Sequence, residues 1–435
     1  MITAESAERR VQTPPRIEAG VRRTVLPNGL TVLSEHMPWV RSVALGTWVK
    51  SASIHEPPEK MGVSHLLEHA VFKATPTRSA KDIALSLEVL GGSLDAYTSR
   101  EHTSYQARVL DEHATQAAEV LADVVFRPLL RESDVAMERK VVLEEISMVE
   151  DTPDDQVFEL HNAQLWGEHP YGYSILGTRE TVTALTAKDL RELHDGTYHV
   201  GQVVVAAAGN IEHDALLDVL DRTGWMTIPA SGGSPRQPSQ PVAVPPAYAH
   251  HGRRDQSQTH VVLGTATVPH RDPRRYAIAL VSVLLGGGMS SRLFQRVREE
   301  LGLAYAVQTF QSFHLDTGIQ GVYFASAPET ADDAVAAVNE ELARAAADGI
   351  PEDEIEMGRS QLKGQITLSM ESVSSRMYRA ATGELFGEPI QTLDEVLALI
   401  DAIDSDTVRQ VCGDFFAPDM QTVVSLGPKP LKSIL

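Results

Sequence analysis

The chain has 435 residues, 43% hydrophobic and 22% charged, with 30 Gly and 24 Pro scattered along it; this excludes disorder, collagen and coiled coil and favours two packing units. Lys+Arg of 38 against Asp+Glu of 59 leaves a net charge of -21, which repels nucleic-acid phosphates and anionic lipid, and no basic patch offsets it. No stretch approaches the roughly 20 apolar residues of a membrane span, residues 1–23 are too polar for a secretory signal, and the single cysteine, Cys412, leaves no disulfide and no Cys-based metal site.

Cytoplasmic location is therefore expected, with no membrane and no nucleic-acid partner, and any metal must sit on His and carboxylate. In chain order, residues 24–26, 29–35, 42–50 and 93–110 read as strands, with Pro27-Asn28-Gly29 as turn chemistry between the first two. Strands adjoin strands and helices adjoin helices, so an α+β fold is expected and a doubly wound sheet is not. Gly286-Gly287-Gly288 lacks the Lys of a phosphate loop and is read as the end of one helix.

Residues 231–246 hold five Pro, two Gly and three Ser, too many restricted positions for a helix or central strand, and are read as a linker. On either side, Val43-Ala44-Leu45-Gly46-Thr47 and Val261-Val262-Leu263-Gly264-Thr265 agree at four of five places. Ser79 precedes a helical pattern ending at Leu90-Gly91, and Ser290 precedes one ending at Leu301-Gly302. In each, Ser is expected as N-cap and Gly as the left-handed cap. A duplicated unit of about 210 residues follows, with domains at 1–228 and 256–435 and a linker at 229–255.

The chemistry is concentrated in residues 63–72. At 100° per residue, Val63, Leu66, Leu67, Ala70 and Val71 share one face, while His65, Glu68 and His69 fall together on the other. Two imidazoles at i and i+4 can point at one cation, with the carboxylate at i+3 within reach of its water. A third ligand is sought among carboxylates. The helix expected at 133–149 has an apolar side made by Val135, Val141, Val142, Ile146 and Val149, and the same side carries Glu138 and Glu145 while Glu144 points away. Buried carboxylates need a cation or a salt bridge to Arg or Lys. Given a metal at His65 and His69, Glu145 is the best third ligand and Glu138 a support for a ligand imidazole.

His65-Leu66-Leu67-Glu68-His69, with Glu145 inside Glu138-Arg139-Lys140-Val141-Val142-Leu143-Glu144-Glu145-Ile146, resembles the pitrilysin family of zinc peptidases, the inverzincins. It looks most like bacterial homologues of the mitochondrial processing peptidase β subunit. The likeness continues at Gly91-Gly92-Ser93-Leu94-Asp95-Ala96-Tyr97-Thr98, at His169-Pro170-Tyr171-Gly172, and through Ser290-Ser291-Arg292-Leu293-Phe294 to Gly302-Leu303-Ala304-Tyr305. The resemblance implies two homologous α/β-roll domains and one Zn2+ per chain, held by His65, His69 and Glu145. It implies Glu68 as the general base that takes a proton from the metal-bound water, and Glu138 as the supporting glutamate. It also implies that Arg298 and Tyr305 contact substrate, the tyrosine hydroxyl stabilising the oxyanion; residue type and position alone mark both as structural.

Asp95 stands where family members often carry Asn, but the backbone of Asp95, Ala96, Tyr97 and Thr98 can still add an extended peptide to a strand edge. In the family two such chains close around a chamber, so the resemblance implies a homodimer in which Arg298 and Tyr305 act in trans. The expected activity is zinc-dependent endopeptidase cleavage of peptides or unfolded chains, with a preference for basic peptides read from the net charge. The alternative is a noncatalytic peptide-binding or scaffold subunit of the same fold.

Overall fold

Strands rich in β-branched and small residues build two sheets in the computed structural model, which describes residues 20–230 and 232–432. Residues 1–19 of the polar start and Ser231 of the Pro-rich segment lie outside the described residues. The first sheet is formed by β1 (Val21–Val25), β2 (Thr31–His36), β3 (Ser42–Val49), β4 (Ser93–Thr98), β5 (Thr103–Leu110) and β6 (Val203–Gly209), in the order β1-β2-β6-β3-β5-β4. The second is formed by β7 (Tyr248–Gly252), β8 (Thr259–Thr267), β9 (Ala304–Phe313), β10 (Gly318–Ser326) and β11 (Thr422–Gly427), in the order β7-β11-β8-β10-β9. The repeated pentapeptide lies in β3 and in β8, which occupy matching places. β2 runs parallel to β6 and β7 parallel to β11, while the remaining pairs in both sheets are antiparallel. The duplication expected from short repeats is thus present in strand order and direction, and the fold is α+β.

Three local expectations change. Residues 93–110 are two strands, because Ser99–His102 turns the chain, Ser99 N donating to His102 O at 2.9 Å. Residues 248–252 of the expected linker form β7. Ser79 does cap α2 (Ala80–Glu88) in a reciprocal box with Asp82, and Gly91 has φ +70°. Ser290, its supposed counterpart, caps nothing. That segment is a widened π-type helix, Phe294–Glu300, entered without a side-chain cap, and Ser291 Oγ donates back to Gly288 O at 2.6 Å. Only the left-handed glycine, Gly302 at φ +63°, is retained.

The helices α1 (Val63–Val71), α3 (Ala114–Phe126) and α4 (Glu132–Asp151) join the first sheet in one core through Leu66, Leu67, Leu121 and Val142. The open faces of the two sheets are covered by exchange. α5 (Pro153–Trp166), from the first unit, sets Val157 and Phe158 against Val262, Tyr323 and Val424 of the second sheet. The helix Val373–Phe386, from the second unit, sets Met377, Ala380 and Ala381 against Leu33, Trp48 and Val204 of the first. The segment after Ser231 is extended and tied to the first unit. Arg236 Nη1 donates to Glu56 O at 2.9 Å, His169 Nε2 to Ser239 O at 2.9 Å and Val244 N to Leu165 O at 2.8 Å. No helix among the described residues is long and apolar enough to cross a membrane.

Charge locks the exchanged helix. Glu35 of β2 is 3% exposed and receives both Arg376 and Arg379 from Val373–Phe386, the second at 3.1 Å, while Arg23 of β1 pairs with Glu384 at 2.9 Å. Removing one partner of a buried pair leaves unpaired charge in a poor solvent. Glu35→Ala is therefore expected to cost about 3 kcal/mol, read from the urea midpoint. An unchanged midpoint would mean that apolar contacts alone hold the exchange.

Candidate metal and catalytic site

The position of α1 is set by its entry. Gly62 has φ +87°, and a Cβ there would meet Leu176 O at 2.5 Å, so the chain can pass only as glycine. Glu56 takes the N-terminal amides, its two carboxylate oxygens accepting from Gly62 N and Ser64 N at 2.8 Å each. Burial pushes that carboxyl up to about 7. The predicted inner face, Val63, Leu66, Leu67, Ala70 and Val71, is wholly buried. α1 then presents His65 and His69 side by side, ring centroids 4.6 Å apart.

α4 crosses α1 and brings Glu145 to both rings. Glu145 Oε2 lies 3.7 Å from His65 Nε2 and 3.6 Å from His69 Nε2, and one ligand atom from each of the three falls within 4.8 Å of the others. Donors about 2.0–2.1 Å from a tetrahedral zinc stand about 3.4 Å apart, so the three fit such an ion with small adjustments. Burial, helped by the neighbouring His69, pulls His65 down to about 3, which keeps its imidazole neutral and its lone pair free. Glu138 Oε2 lies 3.3 Å from His69 Nδ1, on the side of the ring away from Glu145, and its other oxygen accepts from Lys73 Nζ at 2.7 Å. It holds the imidazole in the tautomer that leaves Nε2 as the ligand. Both fates expected for a buried carboxylate, salt bridge and support of a ligand, meet in this one residue.

Val141, expected on the apolar side of α4, is 46% exposed, on an outer stripe with Met137 and Met148. Glu144 is exposed, as expected. Glu68 faces the same cleft, where Thr98 Oγ donates to its Oε2 at 2.6 Å. Burial raises its carboxyl above the ordinary range, against the Thr98 hydrogen bond and the neighbouring His69.

The cleft measures about 520 Å³. One wall is β4, the edge strand of the first sheet, which supplies Ala96, Tyr97 and Thr98. Asp95 is exposed on the opposite face of the strand, beside Gln106 and Arg108, and does not line the cleft. α5 supplies Asp155, Phe158 and Glu159, three residues the sequence reading did not single out. The i, i+4 spacing of Asp155 and Glu159 marks one helix face, but spacing does not say what that face looks upon.

Arg298 and Tyr305 come together, away from this cleft. The Arg298 guanidinium lies 4.4 Å from the Tyr305 ring centroid and 4.7 Å from that of Phe294, and its Nη1 donates to Tyr305 O at 3.1 Å. Tyr305 is 77% exposed at the start of β9, the edge strand that matches β4 in the second sheet. Neither residue lines the cleft of the same chain.

Two α+β units whose helices bring His-x-x-Glu-His and a remote glutamate to one point define the framework of the inverse-order metallopeptidases. Comparison with known proteins agrees. Residues 31–179 match the model of the insulinase family, peptidase family M16, and residues 184–362 match the peptidase M16 inactive domain. An uncharacterized zinc protease of Mycobacterium leprae is 39% identical over 94% of this chain and 91% of its own length. The Bacillus subtilis zinc protease YmxG, likewise named uncharacterized, is 37% identical over 92% and 96%. The crystal structure of a peptidase M16 inactive domain from Pseudomonas fluorescens superposes with a TM-score of 0.88 at 20% identity, covering 96% of this chain and 100% of the other. A Helicobacter pylori protease gives 0.87 at 20%, covering 94% and 99%. The chain belongs to peptidase family M16, the insulinase or pitrilysin family.

Proposed function

We propose that this chain is a zinc-dependent endopeptidase that takes extended peptides along β4. The observation that carries the reading is the convergence of His65, His69 and Glu145 on one point, with Glu68 beside it. One zinc ion per chain would be held by His65 Nε2, His69 Nε2 and Glu145 Oε2; when bound, it supplies Lewis acidity toward water and a peptide carbonyl. The protein does the rest. Glu68 takes a proton from the attacking water and returns it to the leaving amine, and Thr98 Oγ aims the carboxylate. The free edge of β4 offers main-chain hydrogen bonds to a peptide strand, which gives affinity with little sequence preference.

Asp155 and Glu159 line the same cleft, so the acidic net charge has a local form that favours Lys and Arg near the scissile bond. The test uses matched quenched peptides, Lys-rich and Glu-rich, at low and high salt, with and without chelator. Cleavage is expected to stop with chelator and return with zinc. The Lys-rich peptide should lead at low salt, with the lead shrinking at high salt. Chelator-insensitive cleavage would overturn the zinc reading, and equal rates would remove the charge preference.

Arg298 and Tyr305 are assigned to the site of a second copy, in a homodimer that closes a chamber over each cleft. Their stacking on each other, the exposure of Tyr305 and the absence of both from the lining of their own chain's cleft support this. Mixed dimers of Glu68→Gln and Tyr305→Phe chains are expected to regain about half the wild-type sites, measured as peptide turnover; failure to complement in a verified mixed dimer would place the pair outside the reaction.

A further inference from the structure

β4 has to meet two opposed demands. Its outer edge is unpaired, open to a peptide, yet Thr98 at its end must hold a 2.6 Å hydrogen bond to Glu68. An edge strand is paired on one side only, here with β5, so a tie at its end adds to what holds it. The end next to Thr98 is the turn Ser99–His102, and it is clamped at two residues. Arg100 Nη1 donates to Tyr173 O at 2.7 Å, and its own carbonyl accepts from Ile54 N at 2.9 Å. Glu101 reaches out of the first unit. Its Oε1 accepts from Tyr171 OH at 2.7 Å and from Leu315 N at 2.8 Å.

Leu315 belongs to the turn between β9 and β10, the counterpart of the β4–β5 turn in the second sheet. The two duplicated hairpins therefore meet tip to tip, and Glu101 is the side chain that joins them. Tyr171 is stacked on His314 of the same second turn, centroids 4.9 Å apart, and the contact is well buried, with Glu101 12% and His314 13% exposed. A carboxylate oxygen taking two donors, a tyrosine hydroxyl and the exposed backbone amide of Leu315, is a directional tie.

We infer that Glu101 is a positioning residue for the reaction: it fixes the tip of β4 against the second unit and thereby holds Thr98 on Glu68. The inference rests on the peptidase reading for its kinetic arm, and its structural arm does not. Glu101→Ala frees two donors and cuts the tip's tie to the second unit, leaving the Arg100 ties within the first. Glu101→Gln keeps an oxygen able to accept both. In the metal-free protein, amide exchange at Leu315 and along residues 94–103 should quicken in Glu101→Ala and stay near wild type in Glu101→Gln, with α4 unchanged in both. In the zinc-loaded protein, Glu101→Ala should lose about 10–100-fold in kcat/KM, as misplaced groups do, and Glu101→Gln should recover most of it.

The decisive comparison adds Thr98→Val. If Glu101 acts through Thr98, the double variant is no slower than Thr98→Val alone; a merely structural defect would multiply the two losses. Unchanged exchange in Glu101→Ala, multiplied losses, or faster exchange with full activity would each overturn the inference. A wild type that cleaves no peptide would sink the peptidase reading, while the exchange arm would still decide whether the clamp exists.

Discussion

Glu68→Gln is expected to keep the metal site filled and to slow peptide turnover by about 10²–10⁴-fold, the range for removal of a general base. Glutamine has the shape of glutamate, and its amide oxygen can still accept from Thr98 Oγ, so the packing of α1 is preserved. His65, His69 and Glu145 are untouched. What disappears is the basic oxygen that takes the proton. Zinc content by mass spectrometry and turnover of a quenched peptide check this together. Retained metal with lost turnover assigns Glu68 to proton transfer. Lost metal would make it a ligand, and activity within tenfold of wild type would remove it from the chemistry.

Glu145→Ala is expected to abolish stable zinc binding, and Glu138→Gln to weaken it by about 10–100-fold. The two glutamates sit on one helix seven residues apart but meet opposite sides of the same ring. Glu145 Oε2 lies near His69 Nε2, whereas Glu138 Oε2 lies near His69 Nδ1. Removing the first deletes a donor atom from the coordination sphere. Removing the charge of the second leaves three ligands but loosens one ring and strips Lys73 of its partner. Zinc affinity by competition with a chromogenic chelator ranks the two. Equal losses would show that Glu138 also binds the ion directly.

The metal cluster was legible because each part leaves a local trace. His65 and His69 differ by four residues on a short helix whose other face is apolar, and Glu138 and Glu145 are carboxylates where burial needs compensation. The strand order was half legible, through the pentapeptide that recurs in β3 and β8. What was not legible depends on contacts between distant segments. An amphipathic helix shows that it covers something but does not say what, so the exchange of α5 and Val373–Phe386 between sheets had no signal in periodicity.

The hydrogen bond from Thr98 to Glu68 spans 30 residues, and the tie from Glu101 to Leu315 spans 214; neither has a spacing rule. Ser290 is no cap, because the duplicated helix begins at Arg292, two residues further on, before passing into π geometry over Phe294–Glu300. Arg298 and Tyr305 looked structural by residue type, and only the family resemblance marked them. The structure gives them a reason to be noticed: an exposed tyrosine under a stacked guanidinium at a sheet edge.

The most direct measurement is an anomalous difference map at the zinc edge from crystals of the zinc-loaded chain. One peak within about 2.0–2.2 Å of His65 Nε2, His69 Nε2 and Glu145 Oε2 is the expected result. Zinc bound elsewhere, or no ordered ion between α1 and α4 at full loading, would contradict the assignment of these three side chains to a metal.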